Sequence, residues 1–119
     1  MTVARKRLGA AGERLVERAY VRAGFEVVAK NWRCADGEID LIVCSPSVVV
    51  FCEVKTRRGS KFGTGLEAVG HAKQRRIRHL AMVWLAATPE YRGFTLRLDV
   101  AAVDVSTRPI DIVIIPHAF

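Results

Sequence analysis

Residues Gly37 to Lys55 read GEIDLIVCSPSVVVFCEVK. Two apolar runs flank the turn-forming cluster Ser45-Pro46-Ser47, the pattern of an antiparallel hairpin. Side chains alternate between the faces of a strand. The first run places Asp40, Ile42 and Cys44 on one face. The second places Val49, Phe51, Glu53 and Lys55 on one face, with Val48, Val50, Cys52 and Val54 behind them. A loop running from Ser45 to Val48 sets Cys44 opposite Val49, Ile42 opposite Phe51 and Asp40 opposite Glu53. Two carboxylates in facing positions repel unless a cation lies between them. A divalent metal supplies that cation, and hard oxygen ligands suit magnesium. Lys55 points to the same face, where it can hold a water or an anionic oxygen. A loop two residues longer sets Asp40 opposite Lys55 instead, as a plain cross-strand ion pair, and solvated charge at a strand end is ordinary. Spacing alone leaves both registers open.

The chain around this hairpin has 119 residues, half of them hydrophobic, enough for a single domain over 1–119 with a real core. Lysine and arginine number 19 against 12 acids, a net charge of +7. That excess points to a polyanionic partner, nucleic acid first and an anionic membrane surface second. No apolar run approaches the ~20 residues of a membrane span. Arg5, Lys6 and Arg7 are followed by no apolar signal region, so the N-terminus does not read as a secretory leader. Cys34, Cys44 and Cys52 are odd in number and lack paired close spacing. They read as free thiols in or beside strands, which disfavours a disulfide framework or zinc site and fits a reducing cytoplasm.

Outward from the hairpin, Val3 to Ala23 reads as a helix, with Leu8, Leu15, Ala19 and Ala23 at helical spacing and Gly24 as its C-terminal glycine. Glu13 shares a stripe with Val16 and Tyr20 at the edge of that apolar face; a solvated helix glutamate is the plain alternative. Phe25 to Arg33 reads as a strand, and Ala35-Asp36-Gly37 as a turn. After the hairpin comes Thr56 to Gly65, TRRGSKFGTG, a glycine-rich basic loop around Phe62. It suits either closure over a phosphate backbone or a simple connector. Leu66 to Ala87 reads as a second helix with Ile77, Leu80, Ala81 and Trp84 on its apolar face, and Gln74 in line with them. Lys73, Arg75, Arg76 and Arg78 cover much of the remainder, as a nucleic-acid groove or as a solvated face. Thr88-Pro89 breaks this helix. Phe94 to Val105 alternates as a strand, with Arg97 and Asp99 on the face opposite its apolar residues, and Ile110 to Ile115 is a last strand. The order is helix, three strands, helix, two strands. That order implies an α/β fold with a mixed central sheet flanked by helices.

An acid followed by Glu-x-Lys on the next strand, within such an order, resembles the PD-(D/E)xK nuclease superfamily. The strings AGERLVERAY, NWRCADGEIDLIV, FCEVKTR, EAVGHAKQRRI and RLDVAAVDV, in that order, resemble the YraN-like family of small bacterial proteins. That family is similar to archaeal Holliday-junction resolvases. The resemblance runs from Gly9 to Val105 and implies a restriction-endonuclease-like αβββαβ core. It assigns Asp40 and Glu53 as metal acids, Lys55 as the active-site lysine, Glu13 as an added acidic site residue, and Gln74 as the polar residue of the following helix. It places Arg57 and Lys73 at motif positions, read as phosphate contacts. Arg58, Lys61 and Arg76 join them as candidate DNA contacts. Asp99 matches the last motif, as a site residue or as a structural one. The proline that precedes the first acid elsewhere in the superfamily is replaced by Ile39, as is usual in this branch.

The implied activity is Mg²⁺- or Mn²⁺-dependent hydrolysis of DNA phosphodiesters. Nothing resembles a base-reading element, so selection falls on DNA shape or branching. Resolvase-like relatives act as dimers, which makes a homodimer the partner form to expect, although no stretch marks an interface. The other class is a non-catalytic nucleic-acid-binding or adaptor protein that keeps the nuclease fold.

Overall fold

A computed structural model describes residues 3–59 and 70–119, with side chains described from Gly9 onward. Lys61, Phe62 and the expected start of the second helix at Leu66 lie outside the described residues.

The first helix, α1, spans Val3–Arg22. Gly24 ends it at φ 97°, and the Phe25 and Gly24 amides donate back to the Tyr20 and Val21 carbonyls at 3.0 Å. This is the double closure that a left-handed glycine permits. The buried stripe of α1 is Gly12, Val16 and Tyr20, whereas Leu15 and Ala19 are only half-buried and Ala23 is exposed. The helix is therefore rotated from the apolar stripe read in the sequence, and the stripe that carries Glu13 is the one facing the sheet. The physical reason is Gly12. A Cβ built on it would stand 2.5 Å from Thr56 Oγ1 and 3.5 Å from Val103 Cγ1. Only a residue without a side chain lets the helix come so close to the sheet.

Gly12→Ala sets two effects against each other. Helix propensity favours alanine by about 1 kcal/mol, while overpacking against a β-branched neighbour costs about 1–3 kcal/mol. The clash is with a stiff side chain, so a net loss of about 1 kcal/mol is expected. A chemical-denaturation midpoint at or above wild type would show that α1 stands off the sheet.

Five strands form one sheet in the order β1-β2-β3-β4-β5: Glu26–Cys34, Gly37–Cys44, Val48–Arg57, Thr95–Asp104 and Asp111–Ile115. All neighbours are antiparallel except β3 and β4, which are parallel. The second helix, α2, spans His71–Ala87 and makes the crossover between them. It begins after Gly70, whose backbone is extended. Its buried residues are Ile77, Leu80, Ala81 and Trp84, the stripe expected from the sequence. A short 3₁₀ turn, Pro89–Tyr91, follows it.

The sheet separates two apolar layers. Under α2 lie Ile42, Val49, Phe51, Leu98 and Val100, with the Phe51 and Trp84 rings edge-to-face at 5.5 Å. Under α1 lie Leu41, Val43, Val50, Cys52, Ala101 and Val103. This is the mixed sheet flanked by helices that the element order implies. No helix among the described residues is long and apolar enough to cross a membrane.

The hairpin takes the shorter loop. Cys44 pairs with Val49 and Ile42 with Phe51, and the Ser45 amide donates to the Val48 carbonyl at 2.9 Å. The alternative register, with Lys55 opposite Asp40, does not occur. The pairing of β2 with β3 stops at Leu41 and Cys52, one position before Asp40 and Glu53 would face each other as a ladder pair. Beyond that point β3 stays paired with β4 as far as Arg57, while β2 stays paired with β1 as far as Gly37. The two central strands thus part like a fork.

Candidate active site

The fork has a local cause in β1 and β2. Ile39 and Ile42 both pack in the layer under α2, although residues three apart fall on opposite faces of a regular strand. The alternation breaks at Asp40. Across from it on β1, between the pairs Lys30–Leu41 and Trp32–Ile39, sits Asn31 with φ 50°. Asparagine adopts this left-handed conformation more readily than other side-chain-bearing residues.

Asp40 fills the opening of the fork. Its Oδ2 accepts a hydrogen bond from the Val54 amide at 2.8 Å. That amide lies beyond the last β2–β3 pair, so a carboxylate replaces the missing strand partner. Glu53 is almost fully buried and close enough to Asp40 to act on its charge and to hydrogen-bond with it. Burial first, and then the Glu53 charge, raise the Asp40 pKa to about 7, against the opposing pull of the Val54 amide. The Glu13 charge on α1 pushes the same way. Glu13 is itself raised, chiefly by burial, and is opposed by a side-chain hydrogen bond from Asn31. Repulsion from Glu38 and Glu53 adds to the rise. Three carboxylates from α1, β2 and β3 thus share one electrostatic neighbourhood.

Two cations answer them, both on the same oxygen. Lys55 Nζ lies 3.3 Å from Glu53 Oε1, and Lys73 Nζ, from the start of α2, lies 3.0 Å from it. Lys55 is therefore the ion-pair partner of Glu53. Lys73, expected as a phosphate contact, lies in the acidic cluster. Gln74, the next residue on α2, is half-buried. Arg76 is exposed, and its Cδ stands 3.7 Å from where a Gly37 Cβ would be, so its stem lies along the β1–β2 turn. Arg58 is exposed at the end of β3. Arg57, half-buried at the same end, has a buried Nε without a hydrogen-bond partner among the described residues.

Asp99 stands apart from the fork. It is fully buried on the α1 side of β4. Tyr20 Oη donates to its Oδ2 at 2.7 Å, Arg97 donates to both oxygens at 2.9 Å, and the His117 amide reaches Oδ1 at 3.3 Å. These partners tie α1, β4 and the C-terminal segment together, so the role left open for Asp99 resolves as a structural one. Asn31 is the residue that sequence reasoning missed. Its one signal was an asparagine, a residue type depleted in strands, inside β1.

The cluster suits a hard divalent cation. No group of three or more His, Cys, Asp or Glu side chains converges as a metal cage among the described residues. Asp40 and Glu53 instead offer a pair of carboxylate oxygen donors. Magnesium is commonly held in this way, by one or two carboxylates, with waters and substrate phosphates completing its shell.

Comparison with known proteins agrees on the family. A "UPF0102 protein" of Kineococcus radiotolerans is 46% identical over 105 residues, 88% of this chain and 86% of that protein. One from Nocardia farcinica is 56% identical over 79 residues, 66% of this chain and 62% of the other. One from Roseiflexus castenholzii is 42% identical over 120 residues, 99% of this chain and 97% of the other. The solved structure of Pyrococcus furiosus SfsA in complex with Ca²⁺ is similar at a TM-score of only 0.35 and 13% identity, over 92% of this chain and 62% of that one. Residues 12–103, which hold every fork residue, match the family described as "Uncharacterised protein family UPF0102". The chain belongs to UPF0102, a family of the restriction-endonuclease-like superfamily.

Proposed function

We propose that this protein is a divalent-metal-dependent DNA endonuclease that selects its substrate by shape, branched DNA foremost. The observation that carries the reading is the fork, where Asp40 and Glu53 converge with Lys55 beside them and Glu13 close by. A carboxyl group whose pKa is raised by burial and by neighbouring carboxylates at a strand opening is costly to a fold that only needs a core.

Asp40 and Glu53 would hold Mg²⁺ or Mn²⁺. Such an ion, when bound, lowers the pKa of water and offsets charge on the phosphate. Lys55 orients the attacking water or stabilises the negative charge that builds on the phosphate oxygens. Glu13, which hydrogen-bonds with Asn31, would hold a further water or ion. Gln74 would act as the polar partner on α2. Arg57, Arg58, Arg76 and Lys61 would contact backbone phosphates, with the +7 charge supplying salt-sensitive affinity.

A second reading, a DNA-binding protein without cleavage, has one observation in its favour: Glu53 already has two ammonium partners, so it is charge-balanced without a metal. The experiment that separates the two readings uses a four-way junction and a linear duplex of the same sequence, with Mg²⁺, Mn²⁺ or chelator. Cleavage of the junction is expected with either ion. It should vanish with chelator and fall by about 10²-fold or more in Glu53→Gln. A junction bound tightly yet left whole in both metals would establish the second reading.

A further inference from the structure

We propose that Lys73 couples DNA binding to metal loading. In the free protein its ammonium occupies Glu53 Oε1, and a DNA phosphate draws it off, leaving that oxygen to the metal. This deepens the nuclease reading and rests on it.

The geometry is specific. One carboxylate oxygen carries two ammonium groups, from Lys55 at 3.3 Å and Lys73 at 3.0 Å. A divalent ion approaching that oxygen meets two positive charges, and at least one must yield. The two lysines differ in their freedom to do so. Lys55 lies on the same strand as Glu53, two residues on, with its side chain 27% exposed. Lys73 comes from a different element, with its side chain 40% exposed. It can swing into solvent on a long stem without unpacking the core. Its surroundings also favour an anion: the first turn of α2 contains no acid, and Arg76 follows one turn later. A phosphate at that turn would give the departing ammonium a new partner.

Thermodynamic reciprocity sets the consequence. If DNA removes a competitor of the metal, the metal must raise DNA affinity by the same factor. Such a device keeps the site poorly loaded until substrate arrives. It also separates Lys73 from an ordinary phosphate contact, which would add DNA affinity without touching metal affinity.

The test measures Mn²⁺ affinity by electron paramagnetic resonance, with and without a linear duplex, which the proposed selectivity leaves uncut. Wild type, Lys73→Met and Arg75→Met are compared. Methionine keeps the length of the stem and helix propensity. Without DNA, Lys73→Met is expected to bind Mn²⁺ about tenfold more tightly than wild type, and DNA should add little further. In wild type, DNA should strengthen Mn²⁺ binding by a similar factor. Without DNA, Arg75→Met, which removes an exposed charge of the same helix two residues from Lys73, should stay within about twofold of wild type. An equal gain in both variants would mean a general field effect and overturn the coupling. So would Mn²⁺ binding in Lys73→Met that matches wild type, with the nuclease reading left standing. Absence of Mn²⁺ binding from wild type, with and without DNA, would remove the nuclease reading itself.

Discussion

Replacing Asp40 with asparagine is expected to raise the melting temperature of the metal-free protein by about 5–10 °C in mildly alkaline buffer. In acid, below the ordinary aspartate range, it should change little. Asp40 titrates near 7 in the folded protein against an ordinary value of 3.8. Between those values the folded chain keeps a proton that the unfolded chain has lost. Stability is therefore greatest below the lower value and declines as pH rises toward the upper one. The loss is on the order of 2–4 kcal/mol, reduced where the lysines beside Glu53 and residual water screen the pair. Asparagine cannot ionise, so this slope should flatten, while its carbonyl oxygen can still accept the Val54 amide. Thermal melts of wild type and Asp40→Asn across that pH range, in chelator, check the claim. A variant less stable than wild type at alkaline pH would mean that ionised Asp40 is a net stabilising acceptor, and that the acids of the fork do not strain one another.

Asp99 should behave in the opposite way. Asp99→Ala is expected to cost about 3–5 kcal/mol, because it leaves a largely buried guanidinium and a buried phenol without their shared acceptor. Arg97, whose side chain is 19% exposed, would lose the acceptor of both its hydrogen bonds to Asp99 while most of the group stays out of water. The Tyr20 hydroxyl loses its acceptor, and the link from α1 to the C-terminal segment goes with it. Urea unfolding measures the loss directly. A cost below about 1 kcal/mol would mean that water replaces the carboxylate, as it does at exposed pairs. The two substitutions thus remove a carboxylate each, one from a site that repels it and one from a site built around it.

Much of this architecture was legible in the sequence wherever periodicity and turn chemistry agree. Ser45-Pro46-Ser47 and the alternation on either side led to two registers, one of them correct. The stripe Ile77, Leu80, Ala81 and Trp84 was legible because it is both periodic and apolar. The orientation of α1 was not. Its deepest contact is Gly12, and a missing side chain sends no hydrophobic signal. The fork was not legible either, because it depends on a left-handed asparagine on the neighbouring strand. Asp40 and Glu53 were expected as a ladder pair; they meet instead where the ladder ends. Lys73 could be placed on α2 from sequence, but nothing local says that the start of α2 comes down beside Glu53. The network around Asp99 joins residues as far apart as Tyr20, 79 positions away, which no window of sequence can join.

The hydrogen of the Val54 amide rests on an oxygen whose charge can change, whereas an ordinary strand amide rests on a carbonyl whose charge cannot. Each protonation, ion or phosphate that alters Asp40 alters the electronic environment of that one backbone nitrogen. The chain thereby carries its own spectroscopic label at the centre of the cluster, written in the backbone and present without chemical modification.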